Sequence, residues 1–194
     1  MRIVFVGCPA CGKSTLAAQV FAKLKTLGKN TELVDEFIRR DIQLHGPMTS
    51  IWEQYRTRMH QEELENAVPA NVEYTVVDSG TLSPYFYSAL YVDATDPRQR
   101  LVLSDMFRLL LDDIFLNRYD YIFYLPPRPG VSAEDGTRYQ TNAELTILDD
   151  HFRMTFMKIF NLTNAHMIDG EFNTRLDKVM NIILPTRNDI ANKV

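Results

Sequence analysis

Residues 7–14 read Gly-Cys-Pro-Ala-Cys-Gly-Lys-Ser, a complete G-x-x-x-x-G-K-[ST] loop. Its setting is as informative as its letters. Arg2–Val6 is a β-branched and aromatic run that predicts a buried strand. Residues 14–27 place Leu16, Val20, Leu24 and Leu27 along one helical face before Gly28 ends it. A strand that turns through two glycines into a helix aims backbone N–H groups at one point, where the helix N-terminus adds partial positive charge. This predicts a phosphate cradle made of Gly7, Cys8, Pro9, Ala10, Cys11, Gly12, Lys13, Ser14 and Thr15. Lys13 would reach the β- and γ-phosphates of ATP, and Ser14 would offer its hydroxyl to Mg²⁺. A bare glycine turn is the alternative, and the flanking strand and helix weigh against it.

Beyond the loop, strands and helices alternate. Strands are expected at Thr31–Val34, 74–77, 121–125 and 166–168. Helices are expected over 36–45, 49–68, 82–92, 97–117, 143–161 and 172–184, with breaks at Gly46-Pro47 and Asp96-Pro97. Alternation of this kind predicts an α/β fold in three layers, a five-stranded, mainly parallel sheet with helices on both faces. Residues 1–184 form one domain in this reading, with a lid at about 126–142 and a loose tail at 185–194.

Apolar residues make up 45% of the 194 and charged residues 24%, the balance of an ordinary folded domain. No apolar run approaches the roughly 18 residues of a membrane span. Residues 2–7 read as a buried strand rather than a signal peptide. A net charge of −4 argues against a broad basic surface for nucleic acid, although a local groove is compatible with it. Cys8 and Cys11 make a C-x-x-C spacing, so a redox pair is one reading. Their place in the phosphate loop favours the other, small side chains in a crowded turn. A cytoplasmic location is expected.

Three carboxylates stand where a parallel sheet gathers its ligands, at the carboxyl ends of strands. Asp78 follows an apolar strand, the arrangement in which an aspartate helps hold Mg²⁺, and a turn cap is the alternative. Asp35 and Glu36 follow the second strand. Either could serve as the base that takes a proton from an acceptor hydroxyl, or simply cap the next helix; alternation of faces leaves the choice between them open. Arg39, one turn on, could pair with Glu36 or face the acceptor. The irregular segment after the fourth strand carries Arg138 and Arg128, in that order the expected lid arginines that would neutralise the transferring phosphoryl group. The helix over 49–68 holds a basic stretch, Arg56, Arg58 and His60, in which Arg56 and His60 share a face and Arg58 does not; a solvated face is the default reading and an acceptor-phosphate site the sharper one.

Together these segments resemble the ribosylnicotinamide kinase domain of the bifunctional NAD-biosynthesis regulator proteins and the P-loop kinases around it. The resemblance runs from residue 1 to about 184. It rests on the phosphate loop, on Glu36-Phe37-Ile38-Arg39, on Val77-Asp78-Ser79-Gly80-Thr81 and on Asp135-Gly136-Thr137-Arg138. It implies a P-loop nucleoside triphosphate hydrolase fold with the kinase-type strand order 2-3-1-4-5, that Glu36 and Arg39 face the acceptor, that Asp78 faces metal or acceptor, and that Arg138 serves the lid. Gly80 departs from the family's second acidic residue, and the lid is longer, with prolines at 126, 127 and 129. Relatives of this kind include bacteriophage enzymes that phosphorylate a hydroxymethylated pyrimidine within DNA, which would place the chain in the host cytoplasm.

The expected activity is therefore transfer of the ATP γ-phosphoryl group to a hydroxyl of a nucleoside, a nucleotide or a nucleotide-like acceptor, free or within DNA. A ribosylnicotinamide-type small-molecule kinase is one alternative. An NTPase switch or a nucleotide-sensing module is another, but a GTPase would carry D-x-x-G and N-K-x-D, and neither is present. Oligomeric state is not legible in the sequence.

Overall fold

The computed structural model describes residues 1–127, 140–160 and 162–184. Five strands, β1 (Arg2–Val6), β2 (Thr31–Val34), β3 (Tyr74–Asp78), β4 (Tyr121–Tyr124) and β5 (Ala165–Met167), form one sheet in the order β2-β3-β1-β4-β5. All neighbouring pairs are parallel. The central strands β1 and β3 are buried on both faces, which is why they read as continuous apolar runs instead of alternating ones.

One face is covered by α1 (Lys13–Thr26) and α7 (Phe172–Ile183), where Leu16, Val20 and Leu24 meet Ile3, Phe5 and Val179. The other is covered by α4 (Ser83–Tyr91), α5 (Pro97–Phe115) and α6 (Asn142–Met154), where Phe86, Phe152 and Phe156 pack together above Val4 and Val77. Two further helices, α2 (Phe37–His45) and α3 (Ile51–Asn66), flank the β2 side. Ser50 and Glu53 close a capping box that starts α3, and Thr141 and Glu144 do the same for α6.

The elements lie where the sequence pattern puts them, with one difference. The helix expected over 143–161 ends as α-helix at Met154 and widens into a π turn over Thr155–Ile159, with Phe160 N–H bonded to the Thr155 carbonyl. Apolar spacing cannot separate the two kinds of turn, because both keep Phe152 and Phe156 on the buried side. No described helix is long and apolar enough to cross a membrane.

A charged layer joins α3, α5, the turn after β3 and the start of β4. Arg58 pairs with Asp113 at 2.9 Å, Thr81 bonds the same carboxylate at 2.7 Å, and Tyr119 joins Thr81 to the buried Glu65. Each buried charge has a partner, as burial requires. The basic stretch of α3 is thus only partly a solvated face. Arg58 is 2% exposed and structural, Arg56 pairs with Asp41 at 2.6 Å, and the His60 ring lies 4.9 Å from that of Phe37.

Candidate active site

The chain leaves β1 and turns at once at Gly7, where φ is +144° and a Cβ would stand 2.5 Å from the Leu125 carbonyl oxygen. Glycine alone fits so close to the end of β4. Ala10 follows at φ +65°, and Gly12, at +95°, becomes the N-cap of α1. The far side of the loop is held by α7. The Phe172 ring occupies the space beside Gly12, and Arg175 donates to the Cys11 carbonyl at 2.6 Å and to that of Pro126 at 3.4 Å. Lys13 folds back over the loop and donates to the Cys8 carbonyl at 3.1 Å.

Burial opposes the Lys13 charge, but Cys11 and then the carboxylates of Glu36 and Asp78 outweigh it and hold its pKa above the ordinary lysine value. The cysteines behave otherwise. Both are buried and unpaired, and burial pushes the Cys8 thiol up to about 12 and raises Cys11 as well. Neutral thiols at physiological pH make a poor redox couple, which leaves the packing role.

Asp78 ends β3 opposite Phe5 of β1. Burial first and Glu36 second raise its carboxyl to about 6, against Lys13, a hydrogen bond from Ser14 and the charge of Arg39. Its Oδ1 is buried and has no hydrogen-bond partner. A carboxylate oxygen left bare beside a serine hydroxyl is a fitting place for a divalent cation. Among the described residues no three His, Cys, Asp or Glu side chains gather to hold a metal alone. Mg²⁺ suits such a sparse set, since it takes one or two protein oxygens and completes its shell with water and phosphate.

The β2 side decides between the two adjacent carboxylates. Asp35 is exposed, whereas Glu36 is the N-cap of α2 with its side chain 20% exposed. Ser79 donates a 2.6 Å hydrogen bond to Glu36 Oε1. Arg39 lies between the acids and the phosphate loop: its Nε is 3.8 Å from Glu36 Oε2, and its Nη2 donates to Ser14 Oγ at 3.2 Å. Lys13, Ser14, Glu36, Arg39 and Asp78 therefore meet at one end of the sheet. Asp35 faces the adjoining cleft. Arg128 and Arg138, with most of the expected lid, lie outside the described residues, as does the tail at 185–194.

Two hollows open here. A cleft of about 790 Å³ is lined by Ser14, Asp35, Glu36, Arg39 and Asp78, a size suited to a ligand. A slot of about 20 Å³ runs behind Glu36, lined also by Gln54, Gln61, Ser79 and Tyr87. Glu36 lines both. Sequence reading did not single out Ser79, Gln54, Gln61 or Arg175. Ser79 stands directly after Asp78, and the two glutamines share a face of α3, both of which are weak signals. Arg175 offers none, since it reaches the loop from 164 residues away.

A phosphate loop after the central strand of a β2-β3-β1-β4-β5 sheet, with a serine and an aspartate beside it, defines a P-loop nucleotide-binding fold of the kinase type. A family profile described as an AAA domain matches residues 2–170, and the chain belongs to that family, AAA_28. No curated protein gives a significant match. Among solved structures, a NadR protein in complex with NR superimposes with a TM-score of 0.70 at 16% identity, covering 94% of this chain and 50% of that one. A NadR protein in complex with NAD and AMP-PNP gives 0.67 at 16% identity, with 94% and 48% covered. Deoxyadenosine kinase from M. mycoides with bound dATP gives 0.60 at 18% identity, with 94% and 98% covered. The chain thus spans about half the length of the NadR chains. At these identities the likeness is one of fold, and it is the fold that the four-part resemblance implied.

Proposed function

We propose that this protein is an ATP-dependent kinase that transfers the γ-phosphoryl group to a hydroxyl of a nucleoside, a nucleotide or a nucleotide-like acceptor. The observation that carries this reading is the position of Glu36. Its carboxylate lies between the phosphate-loop residues and the slot behind it, and Ser79 fixes its orientation. A switch that only hydrolyses nucleotide has no use for such a group there; a kinase needs it to accept or orient the proton of a hydroxyl that is a weak nucleophile at neutral pH.

The roles follow from chemistry. Lys13 balances charge on the β- and γ-phosphates, and the loop N–H groups orient them. Ser14 and Asp78 would hold Mg²⁺, which when bound offsets phosphate charge. Arg39 stands ready to move from Ser14 to an acceptor or a phosphate oxygen. Arg138, and after it Arg128, would close over the phosphates and exclude water. The likeness of fold to NadR and to deoxyadenosine kinase supports a nucleoside-type acceptor.

Transfer of labelled γ-phosphate from ATP tests the proposal. The acceptors are nucleosides, ribosylnicotinamide, nucleotides, and single- and double-stranded DNA carrying hydroxymethylated pyrimidines. Labelled product in any arm names the acceptor class, and label in DNA selects the phage-type reading. ATP hydrolysis with no labelled product in any arm would leave an NTPase instead.

A further inference from the structure

Two glutamines in the slot behind Glu36 have each spent one end of the amide and left the other bare. Gln54 is fully buried and donates through Nε2 to the Met48 carbonyl at 3.3 Å. Gln61, 3% exposed, accepts through Oε1 from the Phe37 N–H at 3.0 Å. The remaining atoms, Gln54 Oε1 and Gln61 Nε2, are buried without a partner. The backbone partners fix which way each amide points. A carbonyl at Met48 demands the NH₂ of Gln54, and an N–H at Phe37 demands the oxygen of Gln61. The slot therefore presents one bare acceptor and one bare donor, seven residues apart on the same face of α3.

Each buried polar atom left unpaired carries its full desolvation penalty, so an occupant that pairs both is strongly favoured over one that pairs neither. Ile38, Pro84 and Tyr87 give the slot apolar and aromatic walls between these polar points. Such walls suit a flat ring with a polar edge better than a sugar, which presents hydroxyls on every side.

We propose that this slot reads the hydrogen-bonding edge of the ring carried by the acceptor, its N–H directed to Gln54 Oε1 and its carbonyl or ring nitrogen to Gln61 Nε2. Nucleobases and carboxamide-bearing rings share that chemistry. The inference rests on the kinase reading for the direction in which the acceptor lies: hydroxyl at Glu36, ring beyond it. As it stands, the slot of about 20 Å³ has room for about one water. A ring edge displaces that water and requires a wall to draw back. The wall formed by α2 is lightly held, because Asp41 is its one buried residue and its ties to α3 include the Phe37–Gln61 bond and the Arg56–Asp41 ion pair.

Titration calorimetry with Mg²⁺ and AMP-PNP present measures binding without needing turnover. The probes are cytidine, thymidine, adenosine, nicotinamide riboside and a riboside whose ring is an unsubstituted phenyl. At least one polar riboside should bind, and the phenyl riboside at least about tenfold more weakly than it, since its ring pairs neither amide. Gln61→Glu keeps an oxygen for the Phe37 N–H but replaces the bare donor with an acceptor. It should weaken the polar riboside at least about tenfold while AMP-PNP affinity stays at the wild-type value. The phenyl comparison uses the wild-type chain, so it stands even if that variant does not fold. Equal binding of phenyl and polar ribosides, an unchanged Gln61→Glu, or no riboside binding at all would overturn the inference and leave the bare atoms to a structural water. Transfer to an acceptor without ring selectivity would sink this inference alone; ring-selective binding without transfer would sink the kinase reading alone.

Discussion

Ser79 Oγ donates a 2.6 Å hydrogen bond to Glu36 Oε1, joining the residue after β3 to the residue that starts α2. Ser79 stands at φ +65°, an uncommon angle for a residue with a side chain. The turn at 79–80 thereby directs a hydroxyl at the carboxylate proposed to meet the acceptor, and it orients Glu36 before any ligand arrives.

Glu36→Gln should lower phosphoryl transfer roughly 10²–10⁴-fold, the usual worth of a general base, with little change in ATP affinity. Asp35→Asn should transfer at close to the wild-type rate, because Asp35 is exposed along the cleft whereas Glu36 is the carboxylate that Ser79 holds. Steady-state kinetics with the labelled acceptor decide this, and the reverse pattern would move the base to Asp35.

Lys13→Ala should cut kcat at least roughly 10²-fold, since it removes charge stabilisation that the transition state needs more than the ground state does. The fold should persist, because the Lys13 ammonium makes one hydrogen bond, to the Cys8 carbonyl. Circular dichroism beside the turnover assay separates the two effects. Wild-type turnover would remove Lys13 from the site.

Asp78→Asn should raise the Mg²⁺ concentration needed for activity, and full wild-type activity in excess chelator would remove Asp78 from metal binding. In the metal-free protein the same change has a second, pH-dependent effect. The folded pKa of about 6 lies above the ordinary 3.8, so folding favours the protonated carboxyl. That contribution is fully present below about pH 3.8 and is lost as pH rises through about 6. Thermal melts in chelator should show Asp78→Asn more stable than wild type at pH 8, by about 2–3 kcal/mol at most, and little different at pH 4.

Arg138→Ala should slow transfer more than it weakens ATP binding, because a lid contact forms on closure. Single-turnover rates and nucleotide titrations compare it with Arg128→Ala. A loss confined to Arg128→Ala would reverse their order.

Gly80→Ala should destabilise the fold by about 1–3 kcal/mol, read as a fall of several degrees in Tm. A Cβ there would lie 2.7 Å from Val4 Cγ2 and 2.8 Å from the Tyr119 hydroxyl, at φ +60°. The acidic residue that the resemblance leads one to expect at this position has no room here. An unchanged Tm would show that Tyr119 can move aside.

The phosphate loop and the five strands were legible because each depends on near neighbours in the chain, whereas the strand order followed from the kinase-type fold that the resemblance implies. The spacing of Gly7, Gly12 and Lys13 sets the loop, and continuous apolar runs mark strands buried on both faces. Periodicity sets Arg58 on a different face of its helix from Arg56 and His60, but it does not say what covers that face. Here α5 brings Asp113 against it.

By itself, then, the sequence determined the nucleotide cradle, the sheet that carries it and the set of carboxylates at its edge. Tertiary packing decided which of those groups meet. It turned Glu36 rather than Asp35 toward the phosphate loop, set Ser79 to hold it, clamped the loop with Arg175, and left one end each of Gln54 and Gln61 bare in the same slot. Contacts of this kind join residues dozens to more than a hundred positions apart, and their geometry is fixed only when whole helices and strands bury their faces against one another.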